Sequence, residues 1–271
     1  MELSGKNVVV TGAAGGIGAA LARRFHAAGA RVVVADLDSD RLHKVAADLN
    51  AQRADSAFAI PADIGSEKGN VDLIRQARSS LGSIDLFFAN AGISIGTFLE
   101  ETDEATWDKI MDVNFNAHRW AAKHLIEEWI DRKDGYFCST ASAAGLITQI
   151  GSATYAVTKH AAVAFAEWLS VSYGDRGLKV SCLCPQGVNT NMLNPPEGTE
   201  GIDTRGLEAV KASGNVLEPD DVAEIVYQHI VEEKFLILPH PEVATYEQRK
   251  VSDRDRWIRG MRRLQERLTN G

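Results

Sequence analysis

A doubly wound α/β fold, with a parallel sheet of about seven strands and helices on both faces, is predicted for this chain by three observations. Short β-branched or aromatic runs recur at about residues 7–11, 31–36, 57–61, 84–89, 135–140, 178–184 and 235–239. Stretches of helix-forming composition fill most of the intervals, and strands alternating with helices imply parallel pairing through right-handed crossovers. Val8 to Val10, Val32 to Ala35 and Leu86 to Ala89 are apolar throughout, as strands covered on both faces require.

The first strand runs into Thr11-Gly12-Ala13-Ala14-Gly15-Gly16-Ile17-Gly18, and Ala19 to Ala30 has helix-forming composition. In a strand-turn-helix of this kind Gly12 takes the tight turn, Gly16 lets a ligand approach the backbone, and Gly18 lets helix and strand pack closely. Free amides at the helix start then face a pyrophosphate, so a dinucleotide site is expected here, with Ala14 and Ile17 in the same turn. The second strand ends in Asp36, eighteen residues after Gly18. A carboxylate at that place accepts hydrogen bonds from the adenosine ribose hydroxyls and repels a 2′-phosphate, which favours NAD over NADP. Arg41 follows closely enough to weigh the other way.

Tyr155 and Lys159 stand one helical turn apart in Tyr155-Ala156-Val157-Thr158-Lys159, and Ser142 lies thirteen residues upstream of the tyrosine. At i and i+4 the ammonium can sit within several Å of the phenol oxygen and favour its ionised form. A tyrosine held that way moves protons near neutral pH.

With 45% hydrophobic and 24% charged residues, the 271-residue chain has enough apolar material for a large core and suits a single domain over residues 1–271. A net charge of −8 argues against a nucleic-acid surface, because phosphate binding needs clustered cations. No apolar run is long enough to span a membrane, and Met1-Glu2-Leu3 lacks a basic segment followed by an apolar core, so a cytoplasmic location is expected. Cys138, Cys182 and Cys184 fall in apolar strand-like segments and read as buried, reduced thiols; no Cys/His set has zinc-ligand spacing, and no metal is expected.

Residues 191–215 break the rhythm, with Pro195, Pro196 and several glycines and little periodicity. The segment follows the sixth strand at its carboxyl end, where ligands bind in open α/β sheets, and reads as a substrate lid. Beyond Pro239-His240-Pro241 a helical extension is expected over about 242–269; Trp257, Ile258, Met261, Leu264 and Leu268 recur at helical spacing, a stripe that packs on protein.

Taken together these residues resemble the short-chain dehydrogenase/reductase family, in its compact single-domain Rossmann-type branch, from about residue 4 to 240. The glycine turn matches the family's cofactor turn. Asp63-Ile64 is similar to its adenine-contacting pair, Asn90-Ala91-Gly92 to the turn that supports the central sheet, and Asn114 to the asparagine that holds a water on a proton-relay path. Ser142, Tyr155 and Lys159 fit the catalytic set. After the sixth strand the chain reads Pro185-Gln186-Gly187-Val188-Asn189-Thr190, where the family usually has Pro-Gly-x-Val-x-Thr; Val188 and Thr190 still fit a nicotinamide-carboxamide contact, while Gln186 departs from the pattern.

The resemblance implies hydride transfer between a nicotinamide and a secondary alcohol or ketone, with Tyr155 as general acid and base, Lys159 lowering its pKa and binding the nicotinamide ribose, Ser142 hydrogen-bonding the substrate oxygen, and Asn114 linking Lys159 to bulk water. Ala143, Leu146, Gln149, Gln186, Met192 and Leu193 would face the substrate. It also implies a homodimer or homotetramer. The alternatives are an NADPH-dependent 3-oxoacyl reductase on the same scaffold, which Asp36 disfavours, and a dinucleotide-binding regulator without turnover.

Overall fold

The computed structural model describes residues 1–95, 98–196, 204–212 and 214–270. The strands are β1 (Asn7–Thr11), β2 (Arg31–Asp36), β3 (Ala57–Pro61), β4 (Leu86–Ala89), β5 (Gly135–Thr140), β6 (Leu178–Leu183) and β7 (Leu236–Ile237). They pair in parallel in the order β3-β2-β1-β4-β5-β6-β7, so the chain reverses its direction of travel across the sheet between β1 and β4. The carboxyl ends of the strands part at that point and leave a crevice.

Both faces of the sheet are covered, which is why its strands are apolar without alternation. Val9, Val33, Phe87 and Phe137 face one core, built with α3 (Glu67–Leu81), α5 (Ala117–Arg132) and α7 (Ala153–Tyr173). Val8, Val10, Val32, Val34 and Phe88 face the other, built with α1 (Gly16–Ala27), α2 (Ser39–Asn50) and α9 (Pro219–Val231). Each fully buried Val or Phe of these strands stabilises the fold by about 1.5–3 kcal/mol. Between α3 and α5 lie α4 (Glu104–Met111) and a π-helical turn, Asp112–Asn116; α6 (Ala144–Ile147) precedes α7.

Three expectations change in detail. The fourth strand starts at Leu86, because the Ile84 carbonyl is taken by Trp129 Nε1 and Arg132 Nη2, at 2.8 and 2.5 Å, and not by a neighbouring strand. The segment 191–215 is not irregular throughout: it holds α8 (Thr204–Ala212), while residues 197–203 and 213 lie outside the described residues. The C-terminal extension is two helices, α10 (Glu242–Ser252) and α11 (Arg254–Asn270), because Asp253 leaves the helical conformation and its carboxylate accepts the Arg256 N–H at 2.9 Å as a cap. Trp257, Met261, Leu264 and Leu268 are half-buried along α11, but Ile258 is 47% exposed and falls off the expected stripe.

Candidate active site

The glycine turn leaves a cradle of backbone N–H groups at the start of α1. Gly12 and Gly16 both take positive φ, 68° and 53°. A Cβ on Gly18 would lie 2.1 Å from the Gly12 carbonyl oxygen, so only glycine admits this approach of helix to strand. Side chains cap α2, α3, α4 and α7, through Asp38, Ser66, Asp103 and Ser152, whereas α1 has no side-chain cap and no acidic residue in its first turn. Its free N–H groups and positive dipole end therefore face the crevice.

Asp36 closes β2 beside this turn. Its Oδ2 accepts the Ala14 N–H at 3.0 Å and its Oδ1 the Leu37 N–H at 2.7 Å. The two cations nearby are engaged: Arg41 pairs with Asp38 at 3.3 Å and Lys44 with Asp48 at 2.8 Å. Asp63 Oδ1 accepts the Gly65 N–H at 3.0 Å, and Ile64 is buried. Asn90 ties three strands, donating to the Thr11 carbonyl of β1 at 3.0 Å and accepting from Thr140 Oγ1 of β5 at 3.1 Å, while the Ala91 N–H reaches Thr11 Oγ1.

These groups line a continuous cleft of about 2060 Å³ that also takes in Gly92, Ser142, Tyr155, Lys159 and the segment from Pro185 to Leu193. A single small-ligand pocket is typically about 300–1,000 Å³, so the cleft has room for a dinucleotide and a second molecule.

On the floor of the cleft Ser142 stands beside the Tyr155 phenol; its Oγ accepts the Ala144 N–H at 3.1 Å and donates to the Pro185 carbonyl at 3.4 Å. Tyr155 Oη lies 4.0 Å from Met192 Sδ. Lys159 is buried, 5.6 Å from the Tyr155 ring centre, and its Nζ donates to the Thr140 carbonyl at 2.9 Å. Burial pulls the lysine down to about 8, which leaves it mostly protonated at pH 7.

The electrostatics of the tyrosine differ from expectation. Burial raises the Tyr155 pKa, the Ser142 hydrogen bond works against that rise, and Lys159 does not lower it in the free protein. The ammonium is turned toward a backbone carbonyl, and in a low-dielectric wall desolvation outweighs a charge that points elsewhere.

Asn114 is fully buried in the π-helical turn, not on a helix surface. Its Oδ1 accepts the Ile93 N–H at 2.8 Å and its Nδ2 donates to the Ile93 carbonyl at 2.9 Å. A Cβ on Gly92 would lie 3.3 Å from both Asn114 Oδ1 and Lys159 Nζ, so this glycine is where the two side chains converge. On the far side, the Pro185 carbonyl accepts the Ala143 N–H at 2.8 Å, Val188 bridges to Leu217, and Thr190 Cγ2 stands 3.1 Å from a Cβ built on Gly16. Gln186 lines the cleft, and its backbone N–H donates to His240 Nδ1 at 3.1 Å. Ala143, Gln149, Met192 and Leu193 line the cleft as well; Leu146 does not, because it turns into the core against α7. Gln149 also reaches across to the Gly206 carbonyl of α8 at 3.3 Å.

Four features had no signal in the sequence. The π-helical turn around Asn114 is one; such bulges cluster at functional sites. Thr148, at the cleft wall, holds φ of 76°, a strained conformation for a β-branched residue. His118 is buried one turn beyond Asn114, bonded to Ser139 at 2.8 Å, and burial with the nearby Lys159 charge holds it down to about 3, so it stays neutral beside the lysine. The last is the wall that α10 and α11 add to the cleft through Tyr246, Arg249, Trp257, Met261 and Leu264.

Comparison with known proteins agrees with the fold. The short chain dehydrogenase family model matches residues 6–200, and the chain belongs to the short-chain dehydrogenase/reductase family. It is an oxidoreductase of the class acting on CH–OH groups. Among its relatives, 1-deoxy-11-beta-hydroxypentalenate dehydrogenase of Streptomyces exfoliatus is 34% identical over 89% of this chain and 86% of that protein. Meso-2,3-butanediol dehydrogenase of Serratia marcescens is 32% identical over 83% of this chain and 87% of that protein. A short-chain dehydrogenase/reductase from Burkholderia phymatum, solved in complex with NAD, superposes with a TM-score of 0.82 at 28% identity over 93% of this chain and 96% of that one.

Proposed function

We infer that the protein interconverts a secondary alcohol and its ketone with NAD(H), with Tyr155 as general acid and base. The observation that carries this reading is the gathering of Ser142, Tyr155 and buried Lys159 in one cleft with the uncapped start of α1. The residues fit a dinucleotide: the α1 amides and the Gly12–Gly18 turn would hold its pyrophosphate, Asp36 its adenosine ribose, Asp63 and Ile64 its adenine, and Pro185, Val188 and Thr190 its carboxamide end. Asn90, Ala91 and Gly92 form the supporting turn. When bound, the nicotinamide supplies or accepts the hydride.

Tyr155 Oη moves the hydroxyl proton, giving it to the substrate oxygen in reduction and taking it in oxidation. Ser142 Oγ donates to the same oxygen as negative charge develops on it, and its bond from the Ala144 N–H fixes its position. Lys159, held by Thr140 O and lacking any charged partner among the described residues, reaches the ribose side. Asn114 holds the Ile93 backbone beside it. NADH oxidation across a ketone library, with the Tyr155 variant described in the Discussion as control, tests the reading; absence of any turnover would favour a binding role.

NAD is expected to be preferred over NADP, because Asp36 stands against a 2′-phosphate and Arg41 and Lys44 are already paired. Asp36→Ala should narrow the ratio of kcat/KM values by about tenfold or more, the equivalent of about 1.4 kcal/mol. Equal kcat/KM for both cofactors in the unaltered enzyme would contradict this assignment and favour the NADPH-dependent 3-oxoacyl reductase.

A homo-oligomer is expected through α7. Its alanines divide: Ala162 and Ala166 pack into the core, while Val157, Ala161, Ala164, Trp168 and Val171 recur at helical spacing on the other face, with Trp168 54% and Val171 87% exposed. The pattern presents an apolar stripe to a second copy. Light scattering at micromolar concentration should give a dimer or tetramer, and Trp168→Glu with Val171→Glu a monomer; a monomeric unaltered protein would rule the stripe out as an interface.

A further inference from the structure

The C-terminal helices form a built part of the cleft and not a loose tail. Lys250 of α10 is 8% exposed, and its Nζ donates to the Leu146 carbonyl at the end of α6 at 2.5 Å and to His160 Nε2 of α7 at 3.2 Å. His160 Nδ1 in turn donates to the Ala156 carbonyl at 2.8 Å. α10 is thereby bolted to the helix that carries Tyr155, and α11 rests on α8.

The inner surface of this wall is chemically biased. It brings Tyr246, Arg249, Trp257, Met261, Leu264 and Arg267 to the cleft and no carboxylate; the acidic residues that line the cleft are carried by β2 and α2, the segment after β3, the α4 region and the start of α9. Neither arginine has an ion-pair partner among the described residues. Trp257 Nε1 is shielded from solvent and has no hydrogen-bond acceptor among them. A sequestered N–H without an acceptor is costly, and an anionic oxygen reaching it would remove that cost while meeting a guanidinium.

We propose that this wall is a distal substrate subsite, and that the substrate is a largely apolar alcohol or ketone carrying a carboxylate remote from its carbinol carbon. The carboxylate accepts hydrogen bonds from Arg249 and from the Trp257 indole, while Met192, Met261 and Leu264 cover the apolar body. The assignment rests on the alcohol/ketone reading of Tyr155 and Ser142. A guanidinium suits a carboxylate because its planar donors match the two oxygens.

The test uses three ketone pairs that span short to long separations, 4-oxocyclohexanecarboxylate, 4-(4-oxocyclohexyl)benzoate and 3-oxo-5β-cholan-24-oate, each against its methyl ester, with NADH. At least one acid should be reduced with kcat/KM about tenfold or more above its ester, mostly through KM. That preference should fall to near unity in Arg249→Gln and decrease several-fold in Trp257→Phe, with thermal unfolding verifying that both variants fold. No preference in any pair, or one that survives Arg249→Gln, overturns the subsite even where the esters are reduced and the oxidoreductase reading stands. If no pair is reduced, calorimetric titration of the same compounds into the protein with NADH decides: tighter binding of an acid than of its ester, lost in Arg249→Gln, supports the subsite independently of turnover, and equal binding overturns it.

Discussion

Tyr155→Phe is expected to leave NADH binding nearly intact and to lower kcat for ketone reduction at least about 100-fold, the usual contribution of a positioned general acid. The substitution removes one oxygen, beside Ser142 and 4.0 Å from Met192 Sδ, and leaves the ring against the cleft wall. Little binding surface is lost, so the effect should fall on kcat with the cofactor Kd unchanged. Because burial raises the phenol in the free protein, its protonated form prevails at neutral pH and is ready for reduction. Oxidation, which needs the deprotonated oxygen, should gain with rising pH in the unaltered enzyme and lose that dependence in the variant. Steady-state kinetics in both directions measure this; more than about a tenth of the rate remaining would assign proton transfer to another group.

Gly18→Ala is expected to abolish measurable NADH binding and to lower the melting temperature by several degrees. The added Cβ would stand 2.1 Å from the Gly12 carbonyl oxygen and 2.7 Å from Asn90 Nδ2. Neither group can withdraw, since Gly12 is backbone in the glycine turn and Asn90 is bonded to Thr11 and Thr140. Overpacking of this kind costs about 1–3 kcal/mol, and the only relief is to push α1 away from β1, which spoils the cradle of free amides. Gly15→Ala is the matched control: its Cβ meets nothing within 4 Å, its φ of −172° is open to any residue, and both binding and stability should be retained. Fluorescence titration with NADH and thermal unfolding report the two quantities. Binding by the Gly18 variant within about twofold of the unaltered protein would mean that this packing does not shape the cofactor site.

Much of the molecule was legible before its structure because the decisive signals are local. Val8 to Val10 leading into Gly12, Gly16 and Gly18 specify strand, turn and helix within a dozen residues, and Tyr155 and Lys159 share a helix face through spacing alone. Apolar strands without alternation carry the two-sided burial of the sheet directly, since each face removes its own set of side chains from water. Such features depend on backbone geometry and on the apolar period, both of which are written along the chain.

Tertiary packing decided what depends on groups far apart in sequence. It turned Lys159 toward the Thr140 carbonyl, so desolvation and not the lysine charge governs Tyr155 in the free protein. It buried Asn114 against Ile93, drew a helix out of the Gly- and Pro-rich segment where Gln149 meets Gly206, and fastened Lys250 to Leu146 and His160 so that α10 and α11 close the cleft. Each of these outcomes rests on desolvation and on hydrogen bonds that form only once distant strands and helices are brought into register. Short-range patterns of residues carry no record of them, and for that reason the sequence by itself determined the class of chemistry while the packed structure decided the shape and charge of the space in which a substrate is held.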